Sequence, residues 1–354
     1  MADFHKPVLV FDWGNTIMAE FPEFSGPMAD WPEVAQVDGI VGALEGLANR
    51  YTLVIATNAT ISTTEQIWKA VQRVGLAGYF EAIYTWRELG AKKPDAKFFH
   101  SIEREVQQSP NELVMIGDSY AIDVLGAKTA GWRAIWYNPH GLLAPGLIPF
   151  QDAEIQDMRD LPAAIEHLSL PDYATSLAWL VERGTPYNIL SHIHLVAATA
   201  YLLAVWLRDA GEIVNPLLTQ RGAMMHDLAK IDSLTPGHTI DHAALARDIL
   251  LARGQPELAE IANRHMPYRD PDDPRRPLTW EQKLVHYSDK LAEGSRLVPI
   301  QERLLALKGR YPRAAQELEE SWPVLARLQD EICERLNVDP MELFERLRKA
   351  LGYR

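Results

Sequence analysis

The stretch VMIGDSYAIDVLGAKTAGW, residues 114–132, begins as a short apolar run that stops at Gly117-Asp118. It continues as helix-forming sequence carrying a second carboxylate, Asp123. An apolar run of this length followed by a turn and a helical pattern reads as a strand buried on both faces and its crossover. The pattern recurs on either side. Pro7 to Phe11, Thr52 to Ala56, Leu113 to Ile116 and Arg133 to Tyr137 are short apolar and β-branched runs, and Thr63 to Val74 and Asp95 to Val106 between them have helical spacing. The first half therefore reads as an α/β Rossmann-like domain, a parallel sheet with helices on both faces. Sites in such sheets lie beyond the carboxyl ends of the strands. Asp12, Thr57 and Asp118 all fall there.

The chain has 354 residues, enough for about two domains. Hydrophobic residues make up 47% and charged residues 23%, an ordinary globular mixture. No uninterrupted run approaches the ~20 apolar residues of a membrane span, and the N-terminus lacks the pattern of a signal peptide. One cysteine, Cys333, excludes a disulfide framework and a thiolate metal cluster. A cytoplasmic protein with no membrane partner is expected. The net charge is −13, with 12 basic and 22 acidic residues through position 170 against 23 and 26 beyond it. Nucleic-acid binders normally show a basic face, and none is visible, so a small-molecule substrate is expected rather than nucleic acid.

The second half changes character. From Tyr173 onward the apolar spacing is helical, with no convincing strand. Ile189 to Asp209 is long and apolar enough to be a core helix. Pro171, within LSLPDY (168–173), breaks the pattern, so domains of 1–168 and 173–354 are expected. Beyond Leu297 the charge-rich helical sequence reads as helices packing on the preceding bundle.

Four pieces of the first half belong together chemically: VLVFDWGNT (8–16), VIATN (54–58), GAKKPDAKFF (90–99) and the 114–132 stretch. A carboxylate that attacks phosphorus, further carboxylates that hold Mg²⁺, and a hydroxyl and a lysine that neutralise phosphoryl oxygens are what phosphoryl transfer through a carboxylate needs. In this order they resemble the haloacid dehalogenase (HAD) superfamily over residues 5 to 168. The resemblance implies Asp12 as nucleophile, Thr57 and Lys93 as phosphate binders, and Asp118 as a Mg²⁺ ligand. Asp123 would be a further ligand or a partner of one, and Gly14 could offer its backbone carbonyl to the metal. One position departs from the pattern. Such phosphatases usually carry a second aspartate two residues after the first, as general acid/base, and Gly14 stands there. That proton transfer is worth roughly 10²–10⁴ in rate. The short intervals between Asp12, Thr57 and Lys93 leave no room for a large cap.

The second half holds seven of the eleven histidines after residue 190: His238, and six within SHIHLVAATAYLLA (191–204), GAMMHDLAKID (222–232), DHAALARDIL (241–250), IANRHMP (261–267) and KLVHYSDKLAEGSR (283–296). Imidazoles and carboxylates without thiolates suit Mn²⁺, Fe²⁺, Zn²⁺, Co²⁺ or Ni²⁺. If His226 and Asp227 lie on a helix, they diverge by about 100°, so both reach metal only between several helices. Lys230, three residues on, shares the face of Asp227. These segments resemble the HD phosphohydrolase superfamily over residues 185 to 300. The resemblance implies His192, His226, Asp227, His242, His265 and Asp289 as ligands of two metals bridged by Asp227, with Lys230 holding phosphate while metal-activated water attacks phosphorus. His194 competes with His192, and the family's usual offset to VAATA implies His192. His238 competes with His242, and the resemblance of HAALARDIL to the family's helix after that ligand implies His242. His286 either supports a ligand or is simply a half-buried neighbour, the second reading being preferred, and Arg296 and Arg303 could reach a substrate phosphate.

Together these imply a metal-dependent phosphohydrolase acting on a nucleotide or another phosphorylated small molecule through the HD site. The HAD-like half would be a second phosphatase or an accessory module. The alternatives are a HAD-type phosphatase working through Asp12, an HD-type di-iron oxygenase, whose ligands the sequence does not distinguish, and a HAD-like ligand sensor.

Overall fold

Val8–Phe11 (β1) is completely buried, as a β-branched and aromatic run between two neighbours should be. In the computed structural model, which describes residues 6–234, 240–270 and 272–353, it pairs in parallel with Thr52–Thr57 (β2) on one side and Val114–Gly117 (β4) on the other. Phe80–Thr85 (β3), Arg133–Tyr137 (β5) and Ala153–Ile155 (β6) complete a six-stranded parallel sheet in the order β3-β2-β1-β4-β5-β6. The chain builds outward from β1 in one direction, then returns to its other side at β4. That change of direction puts the crevice between the carboxyl ends of β1 and β4. Ile40–Leu47 (α1), Thr64–Arg73 (α2), Trp86–Leu89 (α3), Ala96–Val106 (α4), Leu125–Thr129 (α5) and Leu161–Glu166 (α6) are the helices of this unit. Thr63 and Gln66 form a reciprocal capping box at the start of α2, and Asp95 caps α4. β3 and β6 were not expected. Both are edge strands: β3 alternates buried and half-exposed positions, and β6 has three residues, so neither reads as a continuous apolar run.

The chain divides into two compact units, residues 1–144 with 150–168, and residues 145–149 with 169–354. In the second unit the helices are Tyr173–Glu182 (α7), Tyr187–Asp209 (α8), Pro216–Met225 (α9), Lys230–Ser233 (α10), His242–Ala252 (α11), Pro256–Asn263 (α12), Trp280–Asp289 (α13), Ile300–Arg310 (α14), Ala315–Leu336 (α15) and Pro340–Ala350 (α16). α8 is long and apolar enough by length and composition to cross a membrane, yet two-thirds of its most apolar window is buried within the protein, as in a core helix. It packs on α9 and α13, and its second half meets buried leucines of α14, α15 and α16. One small difference from the all-helical expectation is a two-residue hairpin, Ala292–Glu293 (β7) with Arg296–Leu297 (β8), that turns the chain after α13.

The seat of α9 is tight. A Cβ on Gly222 would lie 2.6 Å from Ile261 Cδ1 and 2.7 Å from its Cγ2, on α12. Gly222→Ala should therefore cost roughly 1–3 kcal/mol of stability, by overpacking. In an Ile261→Ala background, which removes both atoms, the same change should cost less than about 1 kcal/mol, the two sites being coupled. Denaturant unfolding of the four proteins in that cycle checks this.

Candidate active sites

In the first unit the expected residues line one pocket of about 400 Å³ at the carboxyl ends of the strands: Asp12 after β1, Thr57 at the end of β2, Lys93 before α4, Asp118 after β4, and Asp123, with Gly14 beside them. Asp12, Asp118 and Asp123 each offer a carboxylate oxygen within 4.8 Å of the others. Asp123 gets there through a wide π-helical turn, Tyr120–Val124, which folds it back under the strand end. Gly117 makes this possible, since a Cβ there would meet Asp123 Oδ2 at 2.3 Å. Lys93 donates to Asp12 Oδ1 and to Asp123 Oδ1, each at 2.6 Å. Its loop is clamped by Asn58, which donates to Lys93 O at 2.8 Å and accepts from Lys93 N at 2.9 Å. Thr57 Oγ1 accepts from Ala59 N at 3.1 Å, leaving its proton to donate into the pocket.

The charges do not balance. Burial alone would lower the Lys93 ammonium, but the flanking Asp12 and Asp123 raise it above its ordinary value. Burial, and then the charge of Asp12, pushes the Asp118 carboxyl up. Burial likewise pushes Asp123 up to about 7 despite Lys93. Three carboxylates around one lysine favour a further cation, and an all-oxygen donor set suits Mg²⁺.

In the second unit His192, His226, Asp227, His242, His265 and Asp289 are all buried, and they converge from α8, the turn after α9, the start of α11, the turn after α12 and the end of α13. His226 and Asp227 sit just past the last residue of α9 rather than within the helix, so the turn as well as the bundle aims them. Asp227 is shared. Its Oδ2 lies 3.6 Å from His226 Nε2 and 4.0 Å from His192 Nε2. Its Oδ1 lies 3.2 Å from His242 Nε2 and 3.5 Å from His265 Nε2, without an aligned hydrogen bond to either. Asp289 Oδ1 is 3.0 Å from His192 Nε2 and 4.0 Å from His226 Nε2.

The tautomers follow from the backbone. His226 Nδ1 lies 2.6 Å from Ala223 O, and His265 Nδ1 lies 2.6 Å from Ala262 O. A carbonyl can only accept, so the proton is on Nδ1 and the lone pair of Nε2 faces the cluster. His226 Nε2 is buried with no hydrogen-bond partner, and His265 Nε2 is only 3.2 Å from His242 Nε2. An orphaned buried acceptor such as His226 Nε2 costs about 1–3 kcal/mol. Two groups of donors joined through one carboxylate, with an unpartnered imidazole nitrogen at His226 and an unpartnered Asp227 Oδ1, therefore fit two divalent cations. Burial pushes His226 down to about 4. Burial would raise Asp227 and Asp289, yet the cationic and imidazole neighbours of each hold it well below the carboxylate range.

Lys230 lines the adjoining pocket of about 640 Å³, 3.9 Å from Asp227 Oδ1 and 3.3 Å from His242 Nε2. Arg303 is buried at its wall, 3.8 Å from Asp289 and paired with Glu293. Arg296 does not line that pocket and pairs with Glu302. His194 points elsewhere, to Tyr173 OH at 3.0 Å. His238 lies outside the described residues. His286 is buried rather than half-buried: burial pushes it down to about 3, and it holds His265 O at 3.0 Å. Lys290 was not foreseen. It donates to Asp289 Oδ2 at 2.5 Å and to His265 O at 2.9 Å, bracing two of the converging residues. Its position directly after Asp289 was the available signal.

Residues 13–137 match the family model for haloacid dehalogenase-like hydrolase, and residues 189–294 match the HD domain. The chain thus fuses an N-terminal haloacid dehalogenase-like domain to a C-terminal HD domain. Its relatives include the pyrimidine 5'-nucleotidase PynA of Streptococcus pneumoniae, 37% identical over 30% of this chain and 44% of that protein. The pyrimidine 5'-nucleotidase YjjG of Escherichia coli is 30% identical over 31% of this chain and 49% of its own length. The chain spans less than half the length of either. A solved structure of an uncharacterized protein from Listeria monocytogenes serotype 4b is 28% identical, covering 46% of this chain and 97% of that one, with a TM-score of 0.41.

Folded His226 and His286 hold off protonation to about 4 and 3, whereas an unfolded imidazole titrates near 6.5. Between those values the unfolded chain binds protons that the folded chain does not, so stability rises with pH. Chelator-treated protein should therefore lose thermal midpoint steadily as pH falls from about 6.5 toward 4. Added Mn²⁺ should raise the midpoint at neutral pH and lose that effect in acid, because protons compete for the same nitrogens. Scanning calorimetry across that window is the check; a flat midpoint would mean these imidazoles are charged in the folded state.

Proposed function

We propose that this protein is a metal-dependent phosphohydrolase of nucleotides or related phosphorylated small molecules, with its principal chemistry in the helical unit. The observation that carries this is Asp227, whose two buried oxygens face two different pairs of imidazoles. In this reading Asp227 would be the ligand common to two cations, with His192, His226 and Asp289 holding one and His242 and His265 the other. Bound divalent cations of the Mn²⁺, Fe²⁺, Zn²⁺, Co²⁺ or Ni²⁺ type would polarise the phosphoryl group and lower the pKa of water toward neutrality.

The protein's own side chains do the rest. Lys230 stands at the pocket edge of the Asp227 cluster and neutralises phosphoryl oxygens there. Arg303 and Arg310 bring positive charge to the same pocket, balanced in part by Glu293. Ile189, Leu307 and Leu318 supply apolar wall for the remainder of the substrate. Lys290 and His286 hold the His265 carbonyl and keep the imidazole turned inward.

A specific observation also supports activity in the first unit. The Asp12–Lys93–Asp123 contacts, with Asp118 beside them, are assembled, and named relatives are nucleotidases. Here Asp12 would attack phosphorus, Thr57 and Lys93 would hold its oxygens, and Mg²⁺ would sit among Asp12, Asp118 and Asp123 with the Gly14 carbonyl.

Asp227→Ala should lower Mn²⁺-supported phosphate release from a nucleotide panel by more than about 100-fold, the most that loss of a mere supporting residue costs. Asp12→Asn should leave that release in place. Loss with Asp12→Asn alone would move the principal chemistry to the first unit, and bound iron with no phosphate release would favour an oxygenase.

A further inference from the structure

The space beside Gly14 is not empty. A Cβ built there would lie 2.2 Å from Glu20 Oε1 and 2.9 Å from Glu20 Cδ, so the Glu20 carboxylate occupies the volume that a side chain at position 14 would take. A tight loop brings it there. Ile17 N and Met18 N donate to Trp13 O at 3.0 and 2.9 Å, and Asn15 N donates to Met18 O at 2.7 Å. Asn15 closes the loop at φ 52°, a left-handed conformation that asparagine tolerates better than most residues. It also grips Glu20 at two points: Asn15 Oδ1 accepts from Glu20 N at 3.1 Å, and Asn15 Nδ2 donates to Glu20 Oε2 at 3.4 Å. The other oxygen, Oε1, is the one beside Gly14. Among the described residues lining this pocket, no histidine, cysteine or tyrosine is present, and Glu20 is the one carboxyl outside the Asp12–Asp118–Asp123 group. It is solvent-exposed, whereas Asp123 and Lys93 are buried beneath the same pocket.

We propose that Glu20 is the proton-transfer residue of the first unit's site, supplying from six residues further along the chain, but beside Gly14 in space, the carboxyl that Gly14 lacks. The inference rests on the reading of that site as a phosphatase. As the Asp12 Oδ–phosphorus bond forms, the ester P–O bond breaks. Its electron pair goes to the leaving oxygen, which takes the Glu20 proton. In the second half, a water oxygen attacks phosphorus and gives its proton to the Glu20 carboxylate, while the Oδ–P bond breaks and its electrons return to Asp12. The sum is monoester plus water giving alcohol plus phosphate.

A general acid matters most where the leaving group is a poor one. The test takes the Asp12-dependent rate with Mg²⁺, meaning the rate of each protein less that of its Asp12→Asn counterpart, on ethyl phosphate and on p-nitrophenyl phosphate. Glu20→Gln should lower kcat on ethyl phosphate by about 10²–10³-fold and on p-nitrophenyl phosphate by less than about 10-fold. Glu20→Asp should recover part of the loss. Glu20→Ala with Gly14→Asp, which clears the space and refills it, should recover ethyl phosphate turnover. Thermal midpoints of all variants accompany the rates. Equal losses on both substrates at an unchanged midpoint, or no loss, would overturn the proposal. So would a wild type without Asp12-dependent turnover, whether or not the double variant gains it, because a working acid would have supplied that turnover. That last outcome leaves the reading of the helical unit intact, since it is scored separately through Asp227.

Discussion

A carboxylate is not buried without a cation to answer it, and each unit is arranged around that demand. In the helical unit Asp227 is the clearest case. Its two oxygens face opposite pairs of imidazoles that arrive from different helices, and Asp289 adds a second charge a few ångströms away. Desolvation of an isolated carboxylate in such a place costs several kcal/mol. Lys290 and Arg303 answer Asp289 from the side, and Lys230 stands 3.9 Å from Asp227. The helix packing that surrounds these groups, including the close seat of Gly222 on Ile261, sets where the donors stand. The packing and the charge pattern are one constraint seen from two sides.

The α/β unit meets the same demand with different chemistry. Asp12, Asp118 and Asp123 converge because strand ends converge, and Lys93 answers two of them directly. Among the described residues no imidazole lines that pocket, so it favours a hard, oxygen-loving cation, whereas the helical cluster offers four imidazoles and suits a borderline transition metal. One chain therefore carries two donor sets that need not compete for the same ion.

How much of this was legible in the sequence depended on burial. β1, β2, β4 and β5 read clearly because both faces are covered and the runs are continuous. β3 and β6 did not, because an edge strand alternates or is too short to show a period. Among the histidines, offset favoured His192 over His194, and the structure turns His194 toward Tyr173 while His192 meets Asp289. His286 read as a half-buried neighbour; it is fully buried because α13 is buried over its last turns, which a helical period on a short segment does not reveal. Lys290 went unseen because a lysine after an aspartate normally reads as solvated, and nothing local says that its ammonium finds the carbonyl of His265 twenty-five residues earlier in the chain.

Glu20 shows the remaining limit. Reading position by position, Gly14 is a missing carboxyl, because sequence spacing registers only the residue at that place. A function such as proton transfer belongs to a volume, and any chain segment that reaches the volume can fill it. The loop from Trp13 to Met18 doubles back within a few residues, so the sixth residue after Gly14 arrives where its side chain would have been. With Glu20 in this position its carboxylate fills the space beside Gly14, and a side chain at position 14 would require that carboxylate to swing away. The two residues have to be read as a pair, because a carboxyl at position 14 and the Glu20 carboxylate as it now stands claim the same space.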